Sequence, residues 1–510
     1  MKMTMNMLLA LALAGFAFGQ TTSGKLTLQE ALETTLSLHP QAKIREQQVA
    51  ASRGALREAS GIFDPFLSSG LQQSFAPTPL TNAQTSPGGT KSAASNITTF
   101  SAGTTRLYRN GISAGPIVEL DRSRDRFSNS TGVNRSRIAY EMAIPLLRNR
   151  GKDVVAAREL SAGVQVEASR LDLNQTFTDL LANTAASYWE LVGAIRLLAV
   201  ADGSVDRGRT FLENVEDLIK GDRIPRNDVH QVRANLADRT AARIAASQQV
   251  VVARQQLALA LGVLPEAVAG IPDPSDDLPL ALAGPDDKPE LVRRYIELAL
   301  KQRSDYLAAR KRTDAGRALL AQAKNALLPD VALTLSSGYS GLREGIYPQS
   351  LLASAGYGVR GVDAVAGVRY GFSPRNNAAG GRLAQIEAAI QQAELQASAA
   401  ARVISSEVVV SLAGVRNSAL RLNKATESVT AFQAALEGER EKYRRGFGSL
   451  VDILTIEERL TGALAVEVRA RTDAAVELAR LRQATGTLIA PDASTPRADW
   501  ISFITLPEVR

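Results

Sequence analysis

The sequence predicts an α+β protein built from an internal duplication, in which each half carries β-strands between helices and ends in a long helical hairpin. Three observations predict this fold class. Long Ala-, Leu- and Glu-rich segments show the three- and four-residue apolar spacing of helices. Short segments between them alternate apolar and polar residues, as strands do. The same order of elements occurs twice along the 510 residues.

The turn at 443–454, YRRGFGSLVDIL, is the most informative stretch. Gly446 and Gly448 lie between two long helical segments, and glycine permits the left-handed backbone angles that end a helix. Ser449 is predicted to cap the following helix, and Asp452 lies near the positive end of its dipole. The stretch therefore predicts a helical hairpin with a tight turn.

A second turn at 218–229, LIKGDRIPRNDV, joins two other long helical segments and contains Gly221, Pro225 and Asp228. A single turn of this kind is most often a surface loop of a helical bundle. Two copies, each between helices of unusual length, favour a built-in duplication.

Residues 1–19 have the positive start, short apolar core and small-x-small site of a secretory signal peptide, which predicts that the mature chain begins at Gln20. The alternative is a membrane anchor, but the apolar run is shorter than the ~20 residues needed to span a bilayer. No later stretch is predicted to span, since the most apolar one, 250–264, is interrupted by Arg254. Entry into a membrane would therefore require strands.

Composition excludes several classes of protein. The chain has no cysteine and two histidines, so it can form no disulfide, thiolate nucleophile or Cys/His zinc site. The net charge of +7 comes from interspersed charges, which is typical of solvated helix faces and not of a nucleic-acid-binding surface. With no nucleotide-binding glycine loop and no triad partner for His230, neither an enzyme nor a cofactor is predicted.

The first predicted repeat covers residues 20–270. It comprises a helix interrupted at His39-Pro40, strands at about 66–75 and 134–145, and a helical hairpin with its turn near 221–228. The Ser/Thr/Gly-rich stretch 76–132 is predicted to be mostly exposed loop. Parts of it, 97–105 and 111–120, could form further strand.

The strand at 134–145 shows the clearest alternation. Apolar Ile138, Tyr140, Met142 and Ile144 alternate with Arg137, Ala139, Glu141 and Ala143. This pattern is expected of a barrel strand between lipid and water, and also of a half-buried strand in a soluble sheet.

A Pro/Asp-rich linker at 271–289 precedes the second predicted repeat, 290–486. That repeat has strands at about 331–339 and 364–372 and a hairpin turn near 443–452, and an irregular tail follows at 487–510. Pro65 and Pro329 are 264 positions apart, whereas Pro145 and Pro374 are 229 apart. The first repeat therefore holds an insertion of 35 residues, which we place in the Ser/Thr/Gly-rich loop.

These features together resemble the TolC-like outer-membrane efflux proteins. The resemblance covers nearly the whole mature chain. It rests on the opening LTLQEALETTLSLHPQ, the helix-to-strand prolines Pro65 and Pro329, the order of elements in both halves, and YRRGFGSLVDIL.

The resemblance implies a homotrimer in which each chain gives four strands to a shared barrel in outer-membrane lipid and its long helices to a coiled-coil tunnel across the periplasm. Four strands cannot close a barrel around a channel, so several chains must pool their strands. It also implies an exit duct of a tripartite efflux or type I secretion system, with a periplasmic adaptor and an inner-membrane transporter as partners. The substrate stays open.

The resemblance further implies functional residues in the turns. Asp452 matches an aspartate that faces the pore, and threefold symmetry would make a carboxylate ring that favours cations; alternatively, Asp452 only stabilises a helix start. Asp228 is its counterpart in the first turn, and Thr455 stands where some members have a second pore aspartate. The residues assigned to the tip and to adaptor docking are Gly221, Asp222, Tyr443, Arg444, Arg445, Gly446 and Gly448.

Two departures from the family pattern affect these assignments. Gly448 stands where some members have a bridging arginine, and Arg444 or Arg445 is the candidate substitute. Gly221 and Asp228 are one residue further apart than Gly446 and Asp452. Either Asp222 takes the place of the glycine or the first turn is longer.

The alternative function is an exported coiled-coil structural or adaptor protein that is not a channel. Its strands would form a soluble domain. The duplicated pairs of alternating strands argue against it, since an adaptor usually has one helical hairpin and a separate all-β region.

Overall fold

The structure is a computed structural model, and it describes most of the chain. The described residues are 24–79, 81, 92–125, 132–221, 226–264, 268, 270–279, 288–345, 348–356, 359–445, 447–491 and 499–508. The predicted signal peptide at 1–19 lies outside them, and so do Asp222 and Gly446.

Helices make up most of the described residues. They are α1 (Leu28–Leu38), α2 (Pro40–Gly61), α3 (Lys152–Val155), α4 (Ala157–Lys220), α5 (Asp228–Leu261), α6 (Pro289–Gln302), α7 (Ser304–Asn325), α8 (Pro348–Ala353), α9 (Asn377–Arg444), α10 (Leu450–Thr485) and a 3₁₀ turn (Trp500–Phe503). The helices α4 and α9, with 64 and 68 residues, are several times longer than an average globular helix.

The described strands form one antiparallel sheet with the order β1-β2-β3-β4-β5-β6. They are β1 (Phe66–Pro79), β2 (Ser92–Leu107), β3 (Ser113–Asp125), β4 (Val133–Pro145), β5 (Asp330–Glu344) and β6 (Val359–Gly371). Sheet and helices form two compact units: residues 50–167 with 310–395, called here the sheet unit, and residues up to 49 with 168–309 and 396–510, called here the helical unit.

The prediction of four strands per chain is wrong. The stretch 76–132, predicted to be mostly exposed loop, contains the β2–β3 hairpin, so the sheet has six strands among the described residues. The stretches 97–105 and 111–120, noted as possible strand, fall largely within β2 and β3. Their composition hid them, because Ser, Thr and Gly occupy many positions where the other strands have large apolar residues.

The two faces of this sheet differ in polarity. Register partners on neighbouring strands share a face, as in the series Leu71–Phe100–Leu120 across β1, β2 and β3. The first face is mainly apolar: Leu67, Leu71, Phe75, Phe100, Val118, Leu120, Ile138, Tyr140, Ile144, Val331, Leu333, Leu335, Val362, Val368 and Tyr370. The second is mainly polar: Ser68, Gln72, Thr99, Ser101, Glu119, Asp121, Arg137, Glu141, Thr334, Ser336, Asp363 and Arg369.

The helical unit has its own apolar core. The core includes fully buried Leu32, Leu181, Tyr188 and Leu257. The described part of the predicted linker, 271–279, packs on this core, because its Ile271 and Leu278 are both buried in it.

Tyr188 fixes the linker to the residues at the start of α1. Its buried hydroxyl donates to a carboxylate oxygen of Asp276 at 2.8 Å and lies 2.9 Å from the carbonyl oxygen of Leu26. The same carboxylate accepts the backbone N–H of Leu28 at the start of α1, at 2.7 Å. Burial and the hydrogen bond to Asp276 raise the pKa of Tyr188, so the hydroxyl keeps its proton as a donor.

The C-terminal residues are held by a tyrosine in the second half, as the linker is held by Tyr188 in the first. Tyr295 in α6 donates its hydroxyl proton to the carbonyl oxygen of Pro507 at 3.1 Å, and Arg482 binds the carbonyl oxygens of Thr505 and Leu506. Phe503 is buried in the same core as Tyr188. The described part of the tail therefore packs against helices.

One described helix meets the length and composition test for a membrane span. It is α9, which contains an 18-residue window with a mean hydropathy of 1.4, of which 28% is buried. The expectation that no stretch after the leader would qualify is therefore wrong for α9. Core helices of soluble proteins pass the same test, so the window is weak evidence for a span.

Replacing Tyr188 by phenylalanine should lower the free energy of unfolding by about 1–2 kcal/mol, because the buried Leu26 carbonyl and Asp276 lose a hydrogen-bond partner. Chemical denaturation of the detergent-solubilised protein measures the change. Tyr108→Phe is the control, since that ring is 43% exposed. Equal stability of the two variants would show that the Tyr188 hydroxyl does not stabilise the linker.

Candidate functional site

The second hairpin turn forms as the sequence predicts at its described residues. α9 ends at Arg444, and the Ser449 hydroxyl accepts the backbone N–H of Val451 at 3.2 Å, which caps α10. A Cβ atom on Gly448 would lie 2.7 Å from the backbone nitrogen of Tyr443. A side chain at this position would therefore force the backbone of the turn to shift.

The first turn is described only in part. α4 ends at Lys220, and the N–H of Gly221 donates to the carbonyl oxygen of Asp217 at 3.1 Å. α5 begins at Asp228, directly after Asn227, whose side chain makes no capping hydrogen bond. Asp222, the candidate for the place of the glycine, lies outside the described residues.

The structure brings the two turns together. Gly221 and Leu218 from the first turn line the same groove as Tyr443 and Arg444 from the second, and the groove has a volume of about 1070 Å³. Tyr443 packs against two apolar clusters. One contains Val215, Val232, Leu450 and Leu454, and the other contains Leu436, Ile453 and Leu460. We call this end of the helical unit the tip.

Asp452 and Thr455 lie on one exposed face of α10, three residues apart. The hydrogen bond with Glu439 raises the pKa of Lys442 in the adjoining turn of α9, and Asp452 adds a smaller contribution in the same direction. The Thr455 hydroxyl donates to the carbonyl oxygen of Val451 at 2.8 Å. This face therefore presents one carboxylate and, a turn later, a hydroxyl group.

Within the part of the chain that the structure describes, Arg444 and Arg445 form ion pairs with carboxylates of their own helix. Arg444 pairs with Glu437 at 3.4 Å and Glu441 at 3.1 Å, and Arg445 pairs with Glu441 at 2.7 Å. All of these carboxylates belong to α9. Both arginines are exposed, as a surface that meets a partner would require.

A buried charged network near the tip was missed by the sequence reasoning. The Glu457 carboxylate in α10 accepts from Arg239 in α5 at 2.8 Å and from Arg440 in α9 at 2.6 Å. The side chains of Glu457 and Arg239 are 1% and 8% exposed. Arg239 also donates to the carbonyl oxygen of Ser204 in α4 at 3.1 Å. We call these residues the four-helix network, because each of the four long helices contributes one.

The absence of a side chain at Gly208 makes room for this network between closely packed helices. Gly208 in α4 faces Arg239, and a Cβ on it would lie 3.2 Å from the Arg239 Cδ atom. Arg207, next to Gly208, binds the Thr461 hydroxyl at 3.2 Å. Burial lowers the pKa of Arg207 below its ordinary value.

A signal for the network was present in the sequence. Glu457 lies on the apolar stripe of α10, between buried Ile453 and Leu460 at helical spacing. A carboxylate there requires a buried partner. Its partner Arg239 is 218 positions away, and local patterns do not predict a pairing over that distance. Among the described residues, no group of three or more His, Asp or Glu is placed to hold a metal ion.

The two-faced antiparallel sheet and the two long helical hairpins together define the fold of outer-membrane channel proteins. The solved structure of the outer-membrane channel OprN matches with a TM-score of 0.65 at 18% identity, covering 92% of this chain and 91% of that chain. CmeC of Campylobacter jejuni matches with a TM-score of 0.62 at 13% identity, covering 94% and 90%. VceC of Vibrio cholerae matches with a TM-score of 0.62 at 17% identity, covering 90% and 96%.

Sequence comparison points to the same class. Residues 295–487 match the outer membrane efflux protein family. No curated protein matches the sequence. The family match and the shared fold confirm the resemblance to TolC-like outer-membrane efflux proteins.

Proposed function

We propose that this protein is the outer-membrane exit duct of a tripartite efflux or type I secretion system, and that it is a homotrimer. The observation that carries the proposal is the sheet with one apolar and one polar face in a chain whose second half matches the efflux family. Such a sheet suits a wall between lipid and a water-filled lumen. The protein lies in the outer membrane and extends its helices into the periplasm.

Exposed apolar residues on the long helices support association of several copies. Ile244, Val251 and Leu259 on α5 are 59%, 51% and 69% exposed, at spacings of seven and eight residues. Val403 and Val410 on α9, seven residues apart, are 56% and 67% exposed. Seven-residue spacing is typical of a coiled-coil seam, and exposed apolar stripes of this kind favour burial against a second copy.

The tip is the end that acts as the gate and receives the periplasmic adaptor. Asp452 from three copies would form a carboxylate ring, with the Thr455 hydroxyls a turn further on and Asp228 as the counterpart in the first turn. The exposed arginines Arg444 and Arg445 and the groove beside Tyr443 supply the adaptor surface. The inner-membrane transporter selects the substrate and supplies the energy.

Phe447 is the apolar residue best placed to contact the adaptor. It lies in the second turn and its side chain is 87% exposed, and large exposed side chains of this kind are frequent anchors of interfaces. We expect Phe447→Ala to reduce site-specific cross-linking between the tip and the adaptor at least about tenfold. Val466→Ala, which removes a half-exposed valine elsewhere on α10, is the control. Equal cross-linking in both variants would remove Phe447 from the docking surface.

Conductance tests the channel function itself. The purified protein, added to a planar lipid bilayer, is expected to produce discrete ion-conducting steps. Absence of steps from protein that has inserted would contradict the channel and favour the exported structural or adaptor protein.

A further inference from the structure

Among the residues that the structure describes, the six-stranded sheet has two open edges, at β1 and β6. Open edges carry unpaired backbone groups, which are not tolerated in lipid. If the chain enters the membrane as proposed above, each edge must therefore pair with a neighbouring strand. A second copy of the same chain supplies the complementary edge, because β1 of one copy can pair with β6 of the next.

The β2–β3 hairpin is an integral part of this sheet. β1 pairs with β2 along all 14 of its residues, and β3 pairs with β4 over 11. β1 and β4 are therefore separated by the hairpin. The two faces continue through it: Phe100 and Leu120 lie on the apolar face, while Thr99 and Glu119 lie on the polar face.

Polar and backbone contacts hold the hairpin in this position. On the polar face, Glu119 of β3 lies 3.6 Å from Arg137 of β4, which also pairs with Asp363 of β6 at 3.1 Å. At the turn between β2 and β3, Arg109 pairs with Glu159 of α4 at 2.6 Å. A Cβ on Gly111 would lie within 2.1 Å of the carbonyl oxygen of Asn149, so the turn backbone packs directly on the chain after β4.

We infer that the assembled barrel contains eighteen strands, six from each of three copies, closed by pairing of β1 with β6 of the next copy. This inference rests on the proposed trimer. It differs from the four strands per chain that the family resemblance implies. Barrel diameter grows roughly in proportion to strand number, and barrels of about 16–18 strands enclose an aqueous channel. The inserted hairpin therefore widens the outer mouth of the duct.

The register within the chain predicts which residues meet across the edge. Partners across the sheet run Ser68–Gly103–Ile117–Ala139–Gly338–Asp363. In β1, the member of this series, Ser68, lies two residues after the first residue of the strand, Phe66. In β6, the member of the series, Asp363, lies eight residues before the last residue of the strand, Gly371. If the ends of β1 and β6 lie level in the barrel, Gln72 and Val365, each six residues from its strand end, face each other between copies. Both are on the polar face.

The chain has no cysteine, so introduced pairs report cleanly. The variant Gln72→Cys with Val365→Cys should form disulfides between copies, because these residues are separated by four strands within one chain. We expect covalent trimers on non-reducing gels that revert to single chains with reductant. A second double variant, Ser74→Cys with Val365→Cys, tests the pairing in which β1 is shifted by two residues against β6.

A matched variant tests the position of the hairpin. Ala139 lies six residues from the end of β4, so Gln72→Cys with Ala139→Cys would cross-link within one chain only if β1 and β4 were neighbours. The eighteen-strand wall predicts free thiols in this variant. An intrachain disulfide would overturn the inference, since the hairpin would then lie outside the wall.

The mass of the protein in detergent separates the remaining outcomes. Three copies with no disulfide between β1 and β6 in either register would overturn the eighteen-strand barrel and leave the proposed trimer intact. A single copy would overturn the trimer and the barrel together.

Discussion

Replacing Glu457 by alanine is expected to destabilise the tip by about 3–5 kcal/mol, because removing one partner of a buried ion pair leaves the other charge uncompensated. Arg239, with its side chain 8% exposed, would lose its carboxylate, and Arg440 would lose its contact with α10. Hydrogen exchange should show the effect locally. The amides of the first three turns of α10 should exchange faster by about two to four powers of ten.

Glu458→Ala is the matched control, because Glu458 is exposed on the same helix and its loss should change stability by no more than about 0.5 kcal/mol. The double variant Arg239→Met with Glu457→Leu should recover much of the lost protection, since apolar residues can replace a buried ion pair. Equal exchange in Glu457→Ala and Glu458→Ala would show that the four-helix network does not hold the helices together.

Replacing Asp452 by alanine is expected to weaken block of the channel by divalent cations at least about tenfold. Three copies would each lose a carboxylate from the same ring, and a ring of like charge is what concentrates cations at a constriction. Asp452 is exposed on α10 in the single chain, as a pore-facing residue must be. Titration of single-channel conductance with Mg²⁺ or a trivalent cation from the tip side measures the change.

Glu458→Ala again serves as the comparison, because it removes an exposed negative charge that lies six residues beyond Asp452, about 120° round the helix. Thr455→Asp should strengthen block, since it adds a second carboxylate one turn along the same face. If cations blocked the Asp452→Ala and Glu458→Ala channels equally well, Asp452 would only stabilise the helix start.

Local patterns in the sequence predicted much of the fold. The Ser449 cap and the end of α9 before Gly446 follow from turn chemistry that acts within a few residues. The break between α1 and α2 at His39-Pro40 has the same origin. Strand β4 was predicted because its large apolar residues alternate with charged or small ones.

The β2–β3 hairpin was predicted only as scattered strand, because its apolar face includes Thr98, Ala102 and Thr104, and these give a weak alternation. The position of the hairpin in the sheet depends on the pairing of β2 with β1 and of β3 with β4. Sequence spacing alone does not supply that register.

The candidate site was predicted only where it is local. The turn residues Tyr443 and Gly448 were found because they belong to one short motif. The four-helix network was missed because its members come from α4, α5, α9 and α10 and meet only in the folded chain. The linker at 271–279 was predicted to be a simple connection for the same reason, since its partners Tyr188 and Leu26 are distant in sequence.

Electron cryo-microscopy of the detergent-extracted protein tests the central claim most directly. The account predicts a threefold particle in which a closed β-barrel inside the detergent belt continues into a hollow helical section. The barrel wall should show six strands from each chain. A particle that is soluble without detergent, or a solid helical rod with no barrel, would contradict the assignment as an outer-membrane channel.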